Sequence, residues 1–433
     1  MTDWAIAGGN YRHLIGRLED PSKDGVGLKE IDEGGILVAG VGKTGLDISG
    51  KSEPWRRGYY EALMGAARAA EHLDGWLSDN TRGISFPSEV VIGPSNPRPK
   101  PVPVGASSAP LEENCSPAFE APETFYMKIL TTAGFSTRQR LDAALAYADW
   151  LDFKGLPESA EEMYDWGLDI AMGSLPTGVD NVVDTKTGVI NVDKASSVTS
   201  NILLATTSLA IHHARNANLS TALPILLSVL RARRSLPDSP PPILRFSTTG
   251  EDDVQPSLFS TITSLLRSLI VTPPYPPEPP SGNESPKRDA KEICEEAGIM
   301  ANVGEILFAS SPSSRDDGLG WTREAVDTAE TTFADPNTDL EGRKRCQECL
   351  DVGMDNWRKM VGKLVVAENK ERQANRGKSG WFGMGTKDNG EGEGRWMQEE
   401  RVVEERMRRV RGILTQQRLA KSGAGDGGTL LFG

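Results

Sequence analysis

Three short patterns in this 433-residue chain have residue types that could do chemistry. Gly40-Val-Gly-Lys-Thr44 has the ending of a phosphate-binding loop. Cys346-x2-Cys349 offers two thiols, and His212-His213 offers two imidazoles. Each pattern must be weighed against the spacing that its chemistry requires.

The phosphate-loop pattern is incomplete. A full loop reads G-x4-G-K-[ST], so a glycine should stand five residues before Gly42, where the chain has Leu37. Gly35 comes two residues too early to close the same loop. The apolar stretch 36–39 could supply the preceding strand, so nucleotide binding at Gly42-Lys43-Thr44 stays as an alternative.

The cysteines and histidines do not form a recognisable ligand set. Zinc takes four ligands, and no second Cys or His pair lies near Cys346 and Cys349. Four cysteines in a chain of this length make no disulfide framework, which favours buried thiols in a reducing compartment. Adjacent histidines on a helix point about 100° apart, so His212 and His213 are poorly placed for one metal. We therefore expect no catalytic residues, no metal and no cofactor.

The net charge and the distribution of apolar residues limit the classes of partner that the chain is expected to bind. The net charge is −13, whereas a general nucleic-acid binder needs a basic face. No run of 18 apolar residues is present, and the first 20 residues resemble neither a signal peptide nor a transit peptide. We expect protein partners, no nucleic acid, and membrane association only through a partner or a missing N-terminal anchor.

Segments with the helical spacing of apolar residues, separated by glycines and prolines, predict an all-α fold built from αα-hairpins. Residues 137–153 and 157–172 form the first predicted hairpin, 197–216 and 219–235 the second, and 287–310 and 316–332 the third. The predicted organisation is an unassigned Gly-rich segment 1–53, a helix 54–80, a Pro-rich extended linker 81–123, a helical repeat domain 124–373 with a Pro-rich insertion around 237–286, and a segment 374–433 with a Gly-rich break, a charged amphipathic helix and a tail.

Two features outside the hairpins each leave two interpretations open. The tract 273–280 is either a ligand for a proline-recognising domain or a stiff spacer. In the last helix, Val403, Met407, Val410 and Leu414 make a narrow apolar seam, which could pack on a partner, on a membrane or back on its own array.

Small residues recur within the predicted hairpins. Ala148 and Ala160 stand 12 residues apart, and Ala210 and Ala222 repeat that spacing. Two antiparallel helices cross closely only where their contact residues are small, and a larger residue one turn later fills the next gap. This pattern is similar to the tetratricopeptide (TPR) motif. The predicted packing residues are Ala148, Ala160, Tyr164, Gly167, Ala210, Ala222, Leu226, Gly304, Gly318 and Ala325. An unrelated helical bundle obeys the same crossing rule and is the alternative.

A TPR-like array predicts a binding groove along its first helices. Such arrays curve, and the concave face takes an extended peptide or a helix. The residues predicted to line it are Tyr147, Leu151, Asn201, His213, Asn302 and Glu305.

The run from Glu123 to Tyr164, with further similarity at 219–234, 304–311 and 321–325, resembles fungal mitochondrial TPR proteins. These are similar to the substrate-adaptor subunit of the inner-membrane i-AAA protease supercomplex. The resemblance implies an adaptor in the inner membrane, on the intermembrane-space side, that presents unfolded or misfolded proteins to an ATP-dependent protease. The family carries a presequence and a membrane-spanning helix, and neither is readable here, so a cytosolic co-chaperone or assembly scaffold is the alternative.

Overall fold

A computed structural model describes residues 3–30, 37–38, 42–43, 45–102, 105, 107–176, 181–238, 275–379 and 394–425. The described residues are mostly helical. They contain eleven α-helices: α1 Trp4–Glu19, α2 Glu53–His72, α3 Pro122–Thr131, α4 Thr137–Phe153, α5 Pro157–Met172, α6 Ser200–Arg215, α7 Leu219–Arg234, α8 Ala290–Ser310, α9 Arg315–Ala334, α10 Leu340–Ser379 and α11 Arg395–Gly425. Within this described part, none of the helices combines the length and apolar character that crossing a bilayer requires.

Local signals set the ends of the first predicted hairpin. Ser136 caps α4 in a capping box with Gln139. Gly155 adopts φ +74° in the turn, where a side chain would be strained, and Pro157 opens α5. These boundaries agree with the predicted helices.

The structure adds strands that we had not predicted: β1 Lys29–Glu30, β2 Leu37–Val38, β3 Gly42–Lys43, β4 Leu46–Asp47, β5 Trp76–Asp79, β6 Ile84–Pro87 and β7 Cys115–Pro117. β5 is the centre of a three-stranded antiparallel sheet, in which Ser78 pairs with Ser85 of β6 and with Ser116 of β7. The predicted helix 54–80 therefore ends early. The predicted Pro-rich linker 81–123 contains two strands and the start of α3.

The chain divides into two units. The first comprises Met1–Asp180, Thr199–His212 and Arg245–Glu284, and holds the sheet and most of α1–α6. Its core includes the small face of α2 (Ala62, Ala66, Ala67, Ala69 and Ala70), and α2 packs against α1 and α3. α4 and α5 pack on each other as an antiparallel pair.

The second unit comprises Asn181–Val198, His213–Leu244 and Ser285–Gly433. Within it, α8 and α9 make the most extensive helix–helix contact, and α10 packs on both. α11 folds back onto this bundle: Val403 and Val410 are buried, and Arg406 donates to Asp327 and Glu330 of α9. The buried part of the predicted apolar seam, Val403 and Val410, thus packs on helices of its own chain. The side chain of Leu414 lies outside the described residues.

Candidate functional site

All ten residues predicted to pack the repeats are buried, in whichever unit they lie: Ala148, Ala160, Tyr164, Gly167, Ala210, Ala222, Leu226, Gly304, Gly318 and Ala325. The closest approach lies between α8 and α9. A Cβ added to Gly304 would lie 2.7 Å from the carbonyl oxygen of Gly318, and one added to Gly318 would lie 2.6 Å from that of Gly304. The two helices cross backbone to backbone, as the small-residue rule requires. Whether the hairpins form a true TPR array stays a prediction.

A polar cluster centred on the buried side chains of His212 and Tyr164 joins α4, α5 and α6 in the first unit. His212 Nδ1 lies 2.8 and 2.9 Å from the two carboxylate oxygens of Asp152. The Tyr164 hydroxyl donates to Asp149 at 2.9 Å, and the Tyr164 ring lies 4.9 Å from the His212 ring. The larger residue predicted to follow the small one in α5 is therefore the one that contacts the histidine.

This cluster has the parts of an Asp–His pair but not the access that substrate chemistry needs. A histidine oriented by a carboxylate is a common general base. Here the His212 side chain is only 1% exposed and Asp152 is 11% exposed. The arrangement ties three helices together through polar contacts. Sequence reasoning had singled out His213 of the two, because it follows Ala210 by almost one turn; His213 is also buried.

The residues predicted to line a groove are divided between the units. In the first unit, Tyr147 stacks on Tyr126 with ring centroids 5.4 Å apart, and burial raises its pKa to about 12. Leu151 lies in the core, and Asn201 is fully buried.

In the second unit, His213 is buried and Asn302 is half-buried. Glu305 is exposed and accepts from the side chain of Asn356 at 3.1 Å. These placements leave the groove itself a prediction.

Asn201 contacts an extended segment of its own chain. Residues 275–284, Tyr-Pro-Pro-Glu-Pro-Pro-Ser-Gly-Asn-Glu, form neither helix nor strand and lie against the first turn of α6; we call them the strap. The Asn201 amide donates to the Gly282 carbonyl at 3.1 Å, and its side-chain Nδ2 donates to the Ser281 carbonyl at 3.0 Å. Asn201, predicted to line a groove for a partner, here contacts a segment of its own chain, and its role toward a partner stays a prediction. No signal in the sequence identified residues 275–284 as its partner.

The Gly42-Lys43 segment does not have the setting of a phosphate loop. β3 pairs antiparallel with β2 as a short hairpin, with Leu37 opposite Lys43, and strand β4 follows at Leu46–Asp47. A phosphate loop runs from a strand directly into a helix, whose first amides bind the phosphates. Leu37 and Val38 of the apolar stretch form a strand, as the nucleotide interpretation needs, but the next described elements are the strands β3 and β4 and not a helix.

The prediction of reduced cysteines is wrong for two of them. Cys294 of α8 and Cys346 of α10 are joined by a disulfide with their Cα atoms 5.0 Å apart. Their 52-residue separation gave no sign that these helices would meet there. Cys349 keeps its thiol, burial raises its pKa to about 11, and its Sγ donates to the Cys294 carbonyl at 2.9 Å.

No family model, no curated protein and no solved structure matches the chain. The function proposed below therefore rests on the residues and contacts of the molecule and on the sequence resemblance described above.

Proposed function

We propose that the chain is a non-catalytic scaffold that binds other proteins as extended segments, and that it presents unfolded or misfolded mitochondrial proteins to an ATP-dependent inner-membrane protease. The observation that carries the binding role is the seat on α6 that holds the strap. At this seat, the main-chain amide and the side-chain carboxamide of Asn201 donate hydrogen bonds to main-chain carbonyls of the strap.

Recognition of main-chain groups suits an unfolded client. Every residue except proline carries the same donor and acceptor, so a site that reads carbonyls accepts many sequences. A folded protein has already paired these groups within its own helices and sheets. A seat of this kind therefore selects extended chains over folded ones.

The disulfide supports the proposed compartment. Disulfides form and persist in oxidising compartments and are rare in the cytosol. The Cys294–Cys346 bridge supports a location in which thiols are oxidised, and the resemblance to fungal mitochondrial TPR proteins suggests the intermembrane-space side of the inner membrane. A cytosolic co-chaperone or assembly scaffold is the competing proposal.

The binding role is tested with one client in two states. Full-length protein is titrated with labelled α-lactalbumin, either reduced and carboxymethylated so that it stays unfolded, or native. We expect binding of the unfolded form only, and weaker binding by Asn201→Ala. Asn337→Ala, in an exposed turn of the second unit, serves as the matched control. Equal binding of the two states, or none, would remove the proposal.

The adaptor role needs a second measurement. The purified i-AAA protease degrades the unfolded probe with and without the chain, and we expect faster degradation with it. Binding of the unfolded probe without any effect on degradation would leave the scaffold and replace the protease by another partner.

A further inference from the structure

The strap is held at two points by groups of different chemistry. We propose that its seat is a binding site for proline-rich extended peptides with an aromatic residue ahead of the prolines, and that the strap is the resident ligand that competes with such partners in cis. This inference rests on the proposed function, and it names the class of peptide and the means by which access is regulated.

Arg57 of α2 holds the first half of the strap. Its guanidinium lies 4.9 Å from the centre of the Tyr275 ring and donates to the carbonyls of Pro276 at 3.2 Å and Pro277 at 3.0 Å. Glu53, one turn earlier, accepts from Arg57 Nε at 2.7 Å and so holds the Arg57 guanidinium in this orientation. Only 11% of the Arg57 side chain is exposed.

These contacts recognise an aromatic residue followed by two prolines. A planar guanidinium can stack on a ring and donate in two directions at once, which lysine cannot do. Proline has no N–H and a fixed φ, so consecutive prolines present their carbonyls without a competing donor and lose little entropy on binding.

The first turn of α6 holds the second half. The first amides of a helix have no partner within it. The Ser200 amide donates to the Glu284 carbonyl at 3.2 Å and the Asn201 amide to Gly282. Asn201 Nδ2 donates to the Ser281 carbonyl and to Asn283 Oδ1 at 2.8 Å. The strap thus satisfies amides that would otherwise face solvent.

Gly282 is the position where a side chain cannot be tolerated. Its φ is +74°, and a Cβ there would lie 2.7 Å from Asn201 Cγ. A left-handed backbone alone disfavours alanine by roughly tenfold. Binding of the strap to its seat therefore depends on Gly282. A substitution at Gly282 weakens that binding and leaves the residues of the seat unchanged.

The strap has the character of a displaceable ligand. Residues 275–281 are exposed on their outer side, so they bury little surface. Between the strap, α2 and the start of α4 remains a cavity of about 280 Å³, lined by Arg56, Phe135, Gln139, Glu278 and Pro279 among others. A peptide with a larger side chain at the place of Pro279 would fill this space.

The test adds the strap in trans. A labelled peptide of residues 275–284 is titrated by fluorescence anisotropy into full-length wild type, Gly282→Ala and Gly58→Ala. Gly58 lies beside Arg57 on α2 with open space around it, and serves as control. We expect Gly282→Ala to bind the peptide at least tenfold more tightly than wild type, because its own strap competes less, and Gly58→Ala to equal wild type.

Further variants in the same peptide-binding assay test the two ends of the strap separately. Tyr275→Ala weakens the other end of the strap at a half-exposed residue, and we expect it to raise affinity for the peptide by several-fold. Combining Arg57→Ala with Gly282→Ala should abolish the gain, and a peptide carrying alanine in place of its glycine should bind each of these proteins at least tenfold more weakly than the parent peptide.

Equal affinity of wild type, Gly282→Ala and Tyr275→Ala, or no binding to any of them, would overturn the inference. If the peptide binds as expected but unfolded α-lactalbumin does not, the proposed client class fails while the cis ligand stands. If α-lactalbumin binds and the variants show no gain for the peptide, the reverse holds.

Discussion

The crossing of α8 and α9 makes a sharp prediction about two glycines. Gly304 is buried at the crossing, whereas Gly320 is exposed on α9 with nothing within 4 Å of an added Cβ. Alanine is better than glycine in a helix interior by about 0.5–1 kcal/mol. Gly320→Ala should therefore stabilise the protein by about that amount.

Gly304→Ala should do the opposite. Its Cβ would meet the Gly318 carbonyl oxygen at 2.7 Å and the Thr322 amide nitrogen at 3.1 Å, and both are main-chain atoms that cannot rotate away. Overpacking of this kind costs about 1–3 kcal/mol. After the same helix gain is subtracted, a net loss of up to about 2 kcal/mol remains.

The assay is urea unfolding of the full-length protein, followed by circular dichroism of the helical signal. We expect the free energies of unfolding of the two variants to differ by about 1–3 kcal/mol, with Gly304→Ala below wild type and Gly320→Ala above it. If Gly304→Ala were as stable as Gly320→Ala, the helices would not cross at Gly304.

Three other substitutions test separate contacts. Cys346→Ser removes the disulfide to Cys294, which joins residues 52 positions apart. Closing such a loop stabilises the fold by up to about 4 kcal/mol, so we expect the free energy of unfolding in urea to fall by up to that amount. The pKa of Asp79 is lowered to about 2, chiefly by the hydrogen bond from a neighbouring threonine hydroxyl, so its carboxylate stabilises the fold above pH 4 and that contribution is lost as the pH falls towards 2. Asp79→Asn should be less stable at neutral pH and should lack this acid-dependent loss in a circular-dichroism titration. Tyr164→Phe deletes the donor to Asp149 and should cost about 1 kcal/mol in the same urea assay.

Each of these has an outcome that contradicts it. A reductant should lower the stability of wild type and leave Cys346→Ser unchanged, and equal responses would mean that the bridge is not formed in solution. Parallel acid curves for wild type and Asp79→Asn would remove the carboxylate from the acid transition. An unchanged midpoint for Tyr164→Phe would show that its hydroxyl contributes nothing net.

The helices that the sequence predicted well are those with strong local signals. α4 begins at a cap, and a glycine and a proline two residues apart separate it from α5; these boundaries agree with the structure. α1 was not assigned because only Gly8 and Ile15 are buried in its 16 residues, which leaves almost no apolar pattern to detect. Gly8 is small because Phe119 packs on it, and that neighbour is distant in sequence.

The three-stranded sheet was missed for a related reason. β5 and β6 have four residues each and β7 has three, too few for alternation to be distinguished from a loop. The pairing of Asp79 with Cys115 joins residues 36 positions apart, so no turn signal connects them. Prolines at both ends of the segment favoured an extended linker, and the backbone is indeed extended, but it pairs.

Glycine shows where sequence reasoning about this chain works and where it stops. At Gly304 the helical period fixes which face the residue occupies, and the small partner on the next helix can be sought at a known spacing. At Gly282 the neighbour is Asn201, and nothing in the 80 intervening residues sets their distance. Asn201 was predicted to line a groove for a partner, and nothing in the sequence indicated that a segment of its own chain would contact it. Such contacts cannot be found from periodicity, because they depend on main-chain carbonyls that every residue shares.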